Sequence, residues 1–243
     1  LRIVYGTNIY YDPRYESRVF LNLCNNTTII VMDRVRFKFA NKYTTLVILF
    51  FTGLIISGIN PRNPSHWVGE TLPAIVGFVI LASTFRKFRF SLFTYIAILF
   101  ASYLLFVGGH YTFSRVPFFN WIAEITSSGR NDFDKFGHFI QGVVPVLISR
   151  ELFIRRKLVK GKSLISFIAF CIAMATTSVY ELIEYVACIL GNKNPVTFLG
   201  TQGSFWDSQT DMLFAAAGAL FIIFFLSKLH NKAMEREFPG STF

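Results

Sequence analysis

The stretch LFTYIAILFASYLLFV, Leu92–Val107, runs sixteen residues without a single charge, close to the roughly 17–25 residues that carry a helix across a bilayer. Working outward, five further apolar segments surround it: Tyr43–Ile59, Val68–Phe85, Phe136–Leu152, Leu164–Leu190 and Asp211–Lys228. The second, fourth and fifth spans in chain order contain acidic residues, and the second also contains Pro73, so they are less apolar than the others. The expectation is an all-α fold, a polytopic membrane bundle of about six transmembrane helices.

Composition agrees. Hydrophobic residues make up 53% of the 243, aromatics 17% and charged residues only 16%, with a mean hydropathy of +0.47. Soluble domains carry about 25% charged residues, so an ordinary cytosolic enzyme is excluded, and so apolar a chain is not intrinsically disordered. The net charge of +10 is a topology signal. Counted from Met32, sixteen Lys and Arg fall before span one, in loops two and four, and after span six, against five in the alternate loops. Positive residues mark the cytoplasmic side, which places both termini there. No basic-aromatic motif for reading bases appears, so nucleic acid is not expected as a partner. Cys24, Cys171 and Cys188 form no CxxC pair, and no Walker loop, HExxH or GxSxG is present.

Residues 1–31 lack periodicity, and Met32 opens a short basic lead, Met32-Asp33-Arg34-Val35-Arg36-Phe37-Lys38, into span one. The expected organisation is therefore an N-terminal extension over 1–31, from upstream translation, a membrane domain over 32–230 and a cytoplasmic tail over 231–243.

The scarce acids are not scattered. Glu70, Asp134, Glu181, Glu184, Asp207 and Asp211 are six of the fourteen, and the topology puts all six at the extracytoplasmic ends of spans, with His110 and His138 beside them. Asp134, His138, Gln141 and Pro145 are spaced 4, 3 and 4 and share one helical face. Glu181 and Glu184 lie one turn apart in span five, as do Asp207 and Asp211 leading span six. Like charges in a low dielectric repel unless they are protonated, paired or neutralised by a metal, and Arg130 and Lys135 are too few to balance them. Ordinary roles compete with this reading: Asp134 and Asp207 could cap the helices they begin. Arg150-Glu151 reads as an interfacial ion pair, and His230 as a surface residue among cytoplasmic charges.

The series Trp67-x-x-Glu70, Gly108-Gly109-His110-Tyr111-Thr112, Arg130-Asn131-x-x-Asp134-x-x-Gly137-His138-Phe139-x-Gln141-Gly142, Arg150-Glu151, Glu181-x-x-Glu184 and Leu199-Gly200-Thr201-Gln202-Gly203-x-x-Trp206-Asp207-x-Gln209-x-Asp211-Met212 resembles the YjdF-like bacterial inner-membrane proteins over residues 32–230. The resemblance implies a multi-pass protein of the bacterial inner membrane and brings no established activity. A looser likeness over the C-terminal hundred residues, resting on Asp134-Lys135-x-x-His138-Phe139, an acidic pair in a later span and an Asp-led last span, reaches the VanZ-like membrane proteins. Those are associated with glycopeptide-antibiotic tolerance, which suggests envelope substrates.

Taken together, the residues suggest a divalent metal held by Asp134, His138, Glu181, Glu184, Asp207 and Asp211, with Gln141 and Gln209 behind them. Glu70 or His110 would act as general acid/base. The site's depth matches a lipid headgroup or a lipid-linked envelope substrate, handled by a hydrolase or transferase within the bilayer. An ion-coupled transporter and a noncatalytic envelope partner are the alternative readings.

Overall fold

Two helices start where a polar side chain takes up free N–H groups of the first turn. Asn63 caps α2 (Pro64–Thr84), its Oδ1 accepting from the N–H groups of Ser65 and His66, and Pro64 stands in the first turn, where its missing N–H costs nothing. Ser91 caps α3 (Leu92–Tyr111) through the N–H of Thr94. The remaining helices are α1 (Thr27–Ser57), the short α4 (Pro117–Ile125), α5 (Phe133–Arg155), α6 (Lys162–Leu190), α7 (Asp207–Phe221) and α8 (Ser227–Glu237). A π-helical turn, Ile222–Leu226, joins α7 to α8 without a break. A two-residue antiparallel ladder, β1 (Ile3–Val4) with β2 (Thr7–Asn8), precedes the helices.

This computed structural model describes residues 3–4, 7–8, 27–191, 202 and 204–240, with side chains from residue 42 onward. Much of the expected N-terminal extension, including Cys24, lies outside the described residues, as does most of the Leu199–Gly203 motif. The chain divides into two compact units, Leu1–Ile48 and Leu49–Phe243. The residues discussed below belong to the second.

Among the described residues, four helices are long and apolar enough to cross a membrane: Pro64–Thr84, Leu92–Tyr111, Lys162–Leu190 and the continuous Asp207–Glu237. A shorter apolar helix covers Lys42–Ser57. Their outer faces carry large exposed hydrophobic side chains, among them Val79, Phe167, Leu182, Phe224 and Phe225; contiguous apolar surface of this kind belongs against lipid rather than water. α5 is different. It holds Asp134, Lys135, Arg150, Glu151 and Arg155, yet ten of its residues are buried, because α3, α6 and α7 pack around it. Its Val143, Val146 and Leu147 meet Ala169 and Ala173 of α6, Ala219 of α7 and Ile222 in the central core.

The tightest contact is between α5 and α7. A Cβ added at Gly142 would collide with the backbone carbonyl of Ala215, and one added at Gly218 with the carbonyl of Phe139. Small residues let two helix backbones touch in this way, which is how helices associate when lipid offers no hydrophobic drive. The contact sits one to two turns below Asp134, His138 and Asp211 and sets their lateral spacing.

Substituting valine at Gly218 is therefore expected to separate α5 from α7, at a cost of at least the 1–3 kcal/mol typical of overpacking. Gly77, whose added Cβ meets nothing within 4 Å, should accept alanine without loss. Thermal unfolding of the purified variants, followed by fluorescence-detected gel filtration, measures both.

Candidate functional site

Four helices bring polar side chains to one end of the second unit. α5 contributes Asp134, His138 and Gln141, and α6 contributes Thr177, Tyr180, Glu181 and Glu184. α7 supplies Asp207 and Asp211, and α2 supplies His66 and Glu70.

His138 is the centre. It is 5% exposed, and its Nδ1 lies 2.7 Å from Gln141 Oε1. The same amide oxygen accepts a hydrogen bond from Thr177 Oγ1 at 3.0 Å. An amide oxygen only accepts, so Nδ1 bears a hydrogen, and Nε2 is left facing Asp134 Oδ1 at 3.6 Å and Glu181 Oε1 at 3.5 Å. A neutral ring would point a lone pair at two carboxylate oxygens. That arrangement requires a cation between them, either a second proton or a metal ion.

Asp211 completes the group. Ligand atoms of Asp134, His138 and Asp211 all lie within 4.8 Å of one another. Asp211 is 2% exposed, and its Oδ1 is buried with no hydrogen-bond partner among the described residues, a costly state for a carboxylate oxygen. A tetrahedral ion with bonds of roughly 2.0–2.2 Å holds its ligand atoms about 3.3–3.6 Å apart. The His138–Asp134 and His138–Glu181 separations match that spacing.

Asp207 has a different task. Its carboxylate is paired with the Arg130 guanidinium, whose Nε also lies 3.3 Å from Asp132 Oδ1. Lys135 is likewise taken by Asp132, at 2.6 Å. Burial works against the Arg130 charge, but Asp207, followed by Asp132 and Asp211, holds its pKa above the ordinary arginine value. The loop carrying Arg130 is pinned by Asn131, whose N–H donates to Gln202 Oε1 and whose carbonyl accepts from Gln202 Nε2. Asn131 Nδ2 reaches the Val116 carbonyl and Asn120 Oδ1.

A cavity of about 320 Å³ opens beside His138. His66, Glu70, Ser114, Asp134, Tyr180 and Glu184 form its polar walls, and Pro73, Ala101, Leu104, Leu105, Val144 and Pro145 its apolar floor. The Tyr180 hydroxyl donates to Glu70 Oε2 at 3.3 Å. A second, apolar cavity of about 510 Å³ runs from Pro73 to Thr84 along α2, over Ile98, Ala101 and Ser102 of α3, and against Val144, Ile148 and Leu152 of α5.

Residues 42–232 match the model of a family described as "Predicted membrane protein (DUF2238)". The chain belongs to that family. It is 37% identical over 183 residues to the inner membrane protein YjdF of Escherichia coli (strain K12), an alignment covering 75% of this chain and 88% of the relative. No solved structure matches it. The family resemblance read from the motifs is thereby established, and with it the multi-pass, inner-membrane character of the chain.

Of the residues singled out in the sequence, Glu70, Asp134, His138, Gln141, Glu181, Glu184, Asp207 and Asp211 gather at this end of the bundle. His110 does not join them: its Nδ1 lies 2.9 Å from the Ser57 carbonyl and its ring meets Tyr111 edge-on. Gln209 is exposed, since two residues from either Asp207 or Asp211 is the opposite face of a helix. Tyr180 escaped the sequence reading, although Thr176, Tyr180 and Glu184, each four apart, mark one face of α6.

The opposite end of the bundle corrects two further expectations. Arg150 and Glu151 do not pair with each other. Arg150 reaches Ser166 Oγ and Asn231 Oδ1, while Glu151 is wholly buried, accepting from Ser91 N–H and Oγ, Thr94 Oγ1 and Arg155 Nη1. His230 is wholly buried too, with Nε2 3.4 Å from Glu151 Oε2 and its ring stacked on Phe93. α8 carries the last helix on past its apolar run and packs beside the start of α3, where Glu237 accepts the Leu92 N–H, so polar residues beyond that run become interior ones.

Replacing Arg130 by methionine strands a buried Asp207 carboxylate and should lower stability by about 3–5 kcal/mol. Adding Asp207→Leu to that variant should recover much of the loss, as a double-mutant cycle on thermal unfolding measures. Glu151→Leu removes the acceptor of four donors, the Ser91 N–H among them, and should cost at least about 2–3 kcal/mol in the same assay.

Proposed function

We propose that this protein is a divalent-metal-dependent hydrolase or transferase embedded in the inner membrane, acting at its extracytoplasmic face on the headgroup of a lipid or lipid-linked envelope substrate. The reading includes six membrane crossings with both termini cytoplasmic. The sixteen-to-five distribution of basic residues supports the orientation. The burial of α5 among α3, α6 and α7 accounts for a span with so many charges.

The observation that carries the chemistry is His138 Nε2 facing two carboxylates while Gln141 holds Nδ1. A metal-ligating histidine typically gives its other ring N–H to an oxygen that fixes its tautomer, and the mixed nitrogen and carboxylate donors suit zinc, manganese or iron. Asp134, His138, Glu181 and Asp211 are the ligands in this reading. Arg130 withholds Asp207 from direct ligation and braces the start of α7. The ion would polarise a phosphoester oxygen and the attacking water.

Glu70, across the cavity and hydrogen-bonded to Tyr180, takes the role of general base, and His110 is set aside because its ring is turned toward Ser57. In hydrolysis, Glu70 accepts one proton of the water as its oxygen forms a bond to phosphorus. The bond from phosphorus to the departing oxygen breaks, and the proton held by Glu70 passes to that oxygen. Tyr180 positions the Glu70 carboxylate.

A carrier reading gains one point from Glu151 and His230, a second buried acid–histidine pair at the far end. Against it, four hydrogen bonds already occupy the Glu151 oxygens, and the apolar layer of Val146, Leu147 and Ile222 lies between the two clusters.

Elemental analysis of protein purified without chelator should find close to one zinc, manganese or iron per chain. His138→Ala and Asp211→Asn should each lower that content at least tenfold, and Gln141→Leu should weaken it about 10–100-fold in affinity. Metal-free wild-type protein that takes up none of the three ions on dialysis would remove the metal reading.

A further inference from the structure

The two cavities share Pro73, Ala101, Leu105 and Val144, so they form one trough with a polar head and an apolar tail. We infer that this trough binds a single phospholipid, with an acyl chain along the groove between α2 and α5 and an amine-bearing headgroup in the acidic cavity. The inference rests on the metal reading only for the place of the headgroup phosphate.

Three features select this occupant. The tail is apolar in practice as well as in composition: Ser102 Oγ donates to the Ile98 carbonyl at 2.9 Å and Thr84 Oγ1 to the Ile80 carbonyl at 2.7 Å, so neither hydroxyl is offered to a ligand. Its length also fits. From Pro73, about 14 Å inside the start of α2, to Thr84 is eleven residues, about 16 Å of helix, so the groove runs through the cytoplasmic half of the span and is about as long as the 15 Å that an acyl chain fills in one leaflet. A chain anchored at the polar head would therefore end near the far end of the groove.

Charge selects the headgroup. Glu70 and Glu184 line the cavity, and among the described residues neither has a cationic partner, the nearby Arg130 and Lys135 being engaged by Asp207 and Asp132. With the phosphate drawn to the ion between His138 and Asp211, these two carboxylates face what lies beyond it. A primary ammonium offers them both donors and a positive charge; a glycerol offers donors without charge, and a second phosphate repels them.

Gly77 makes the groove testable without disturbing the fold, because it lines the apolar tail and a side chain there meets open space. The experiment is native mass spectrometry of the full chain released from nanodiscs of equal dioleoyl phosphatidylethanolamine and dioleoyl phosphatidylglycerol. Wild type should retain one lipid per chain and favour the ethanolamine lipid at least fivefold. Gly77→Leu should lower retention of both at least fivefold, with unchanged thermal midpoint and metal content. The double variant Glu70→Gln, Glu184→Gln should retain the two lipids equally.

Wild-type retention by Gly77→Leu would overturn the groove, and equal retention of both lipids by wild type would overturn the headgroup assignment. A wild-type dimer that Gly77→Leu dissociates would give the groove to a second copy of the chain instead. If wild type proves metal-free yet keeps its lipid preference, the catalytic proposal falls and this one stands. If Asp211→Asn loses metal while Gly77→Leu binds lipid normally, the reverse holds.

Discussion

The backbone contact between α5 and α7 is the constraint on which the site depends. Gly142 against the Ala215 carbonyl and Gly218 against the Phe139 carbonyl allow no side chain between the helices. Above that contact the two helices have no room to diverge before Asp134, His138 and Asp211 are reached. Three ionisable groups from two helices are thus brought within 4.8 Å by the absence of side-chain volume, not by any attraction among them. The carboxylates would by themselves push the helices apart.

What offsets that repulsion is divided between the protein and its surroundings. Arg130 neutralises Asp207, and Lys135 with Arg130 balances Asp132. Asp134, Glu181 and Asp211 gather round the His138 ring, Glu181 also taking a hydrogen bond from Ser208, and Glu70 and Glu184 face a tyrosine hydroxyl and the cavity. At the other end of the bundle the chain behaves differently. Glu151 is surrounded by hydroxyls, an N–H and a guanidinium, each turned toward it. Both Glu151 oxygens are matched by donors, whereas Glu181 Oε1 and Asp211 Oδ1 are buried with no hydrogen-bond partner among the described residues. That contrast supports the metal proposal at one end and a structural role for Glu151 at the other.

Much of this was legible in the sequence, for identifiable reasons. A 3–4 residue spacing specifies a helical face, so Asp134, His138 and Gln141 were readable as one group, as were Asp207 with Asp211 and Glu181 with Glu184. Loop charge then assigned them all to one end. The same spacing says nothing of rotation about the helix axis, and there the reading failed. His110 ends α3 correctly placed in depth but turned toward Ser57, and Gln209 sits on the outward face between two inward aspartates. The sequence does not show Glu151 and His230 as interior because α8 is polar in sequence and buries His230 only by packing beside the start of α3, a long-range contact that periodicity does not record. Tyr180 was hidden among aromatics whose usual partner in such a chain is lipid.

In the proposed metal centre an ion lies in the space bounded by His138 Nε2, Asp134, Glu181 and Asp211. Anomalous diffraction from crystals of the protein loaded with manganese tests it most directly. One strong anomalous peak is expected about 2.0–2.2 Å from His138 Nε2, with Gln141 Oε1 still on Nδ1. A peak elsewhere, or no peak and a hydrogen-bonded imidazolium bridging Asp134 and Glu181, would contradict it.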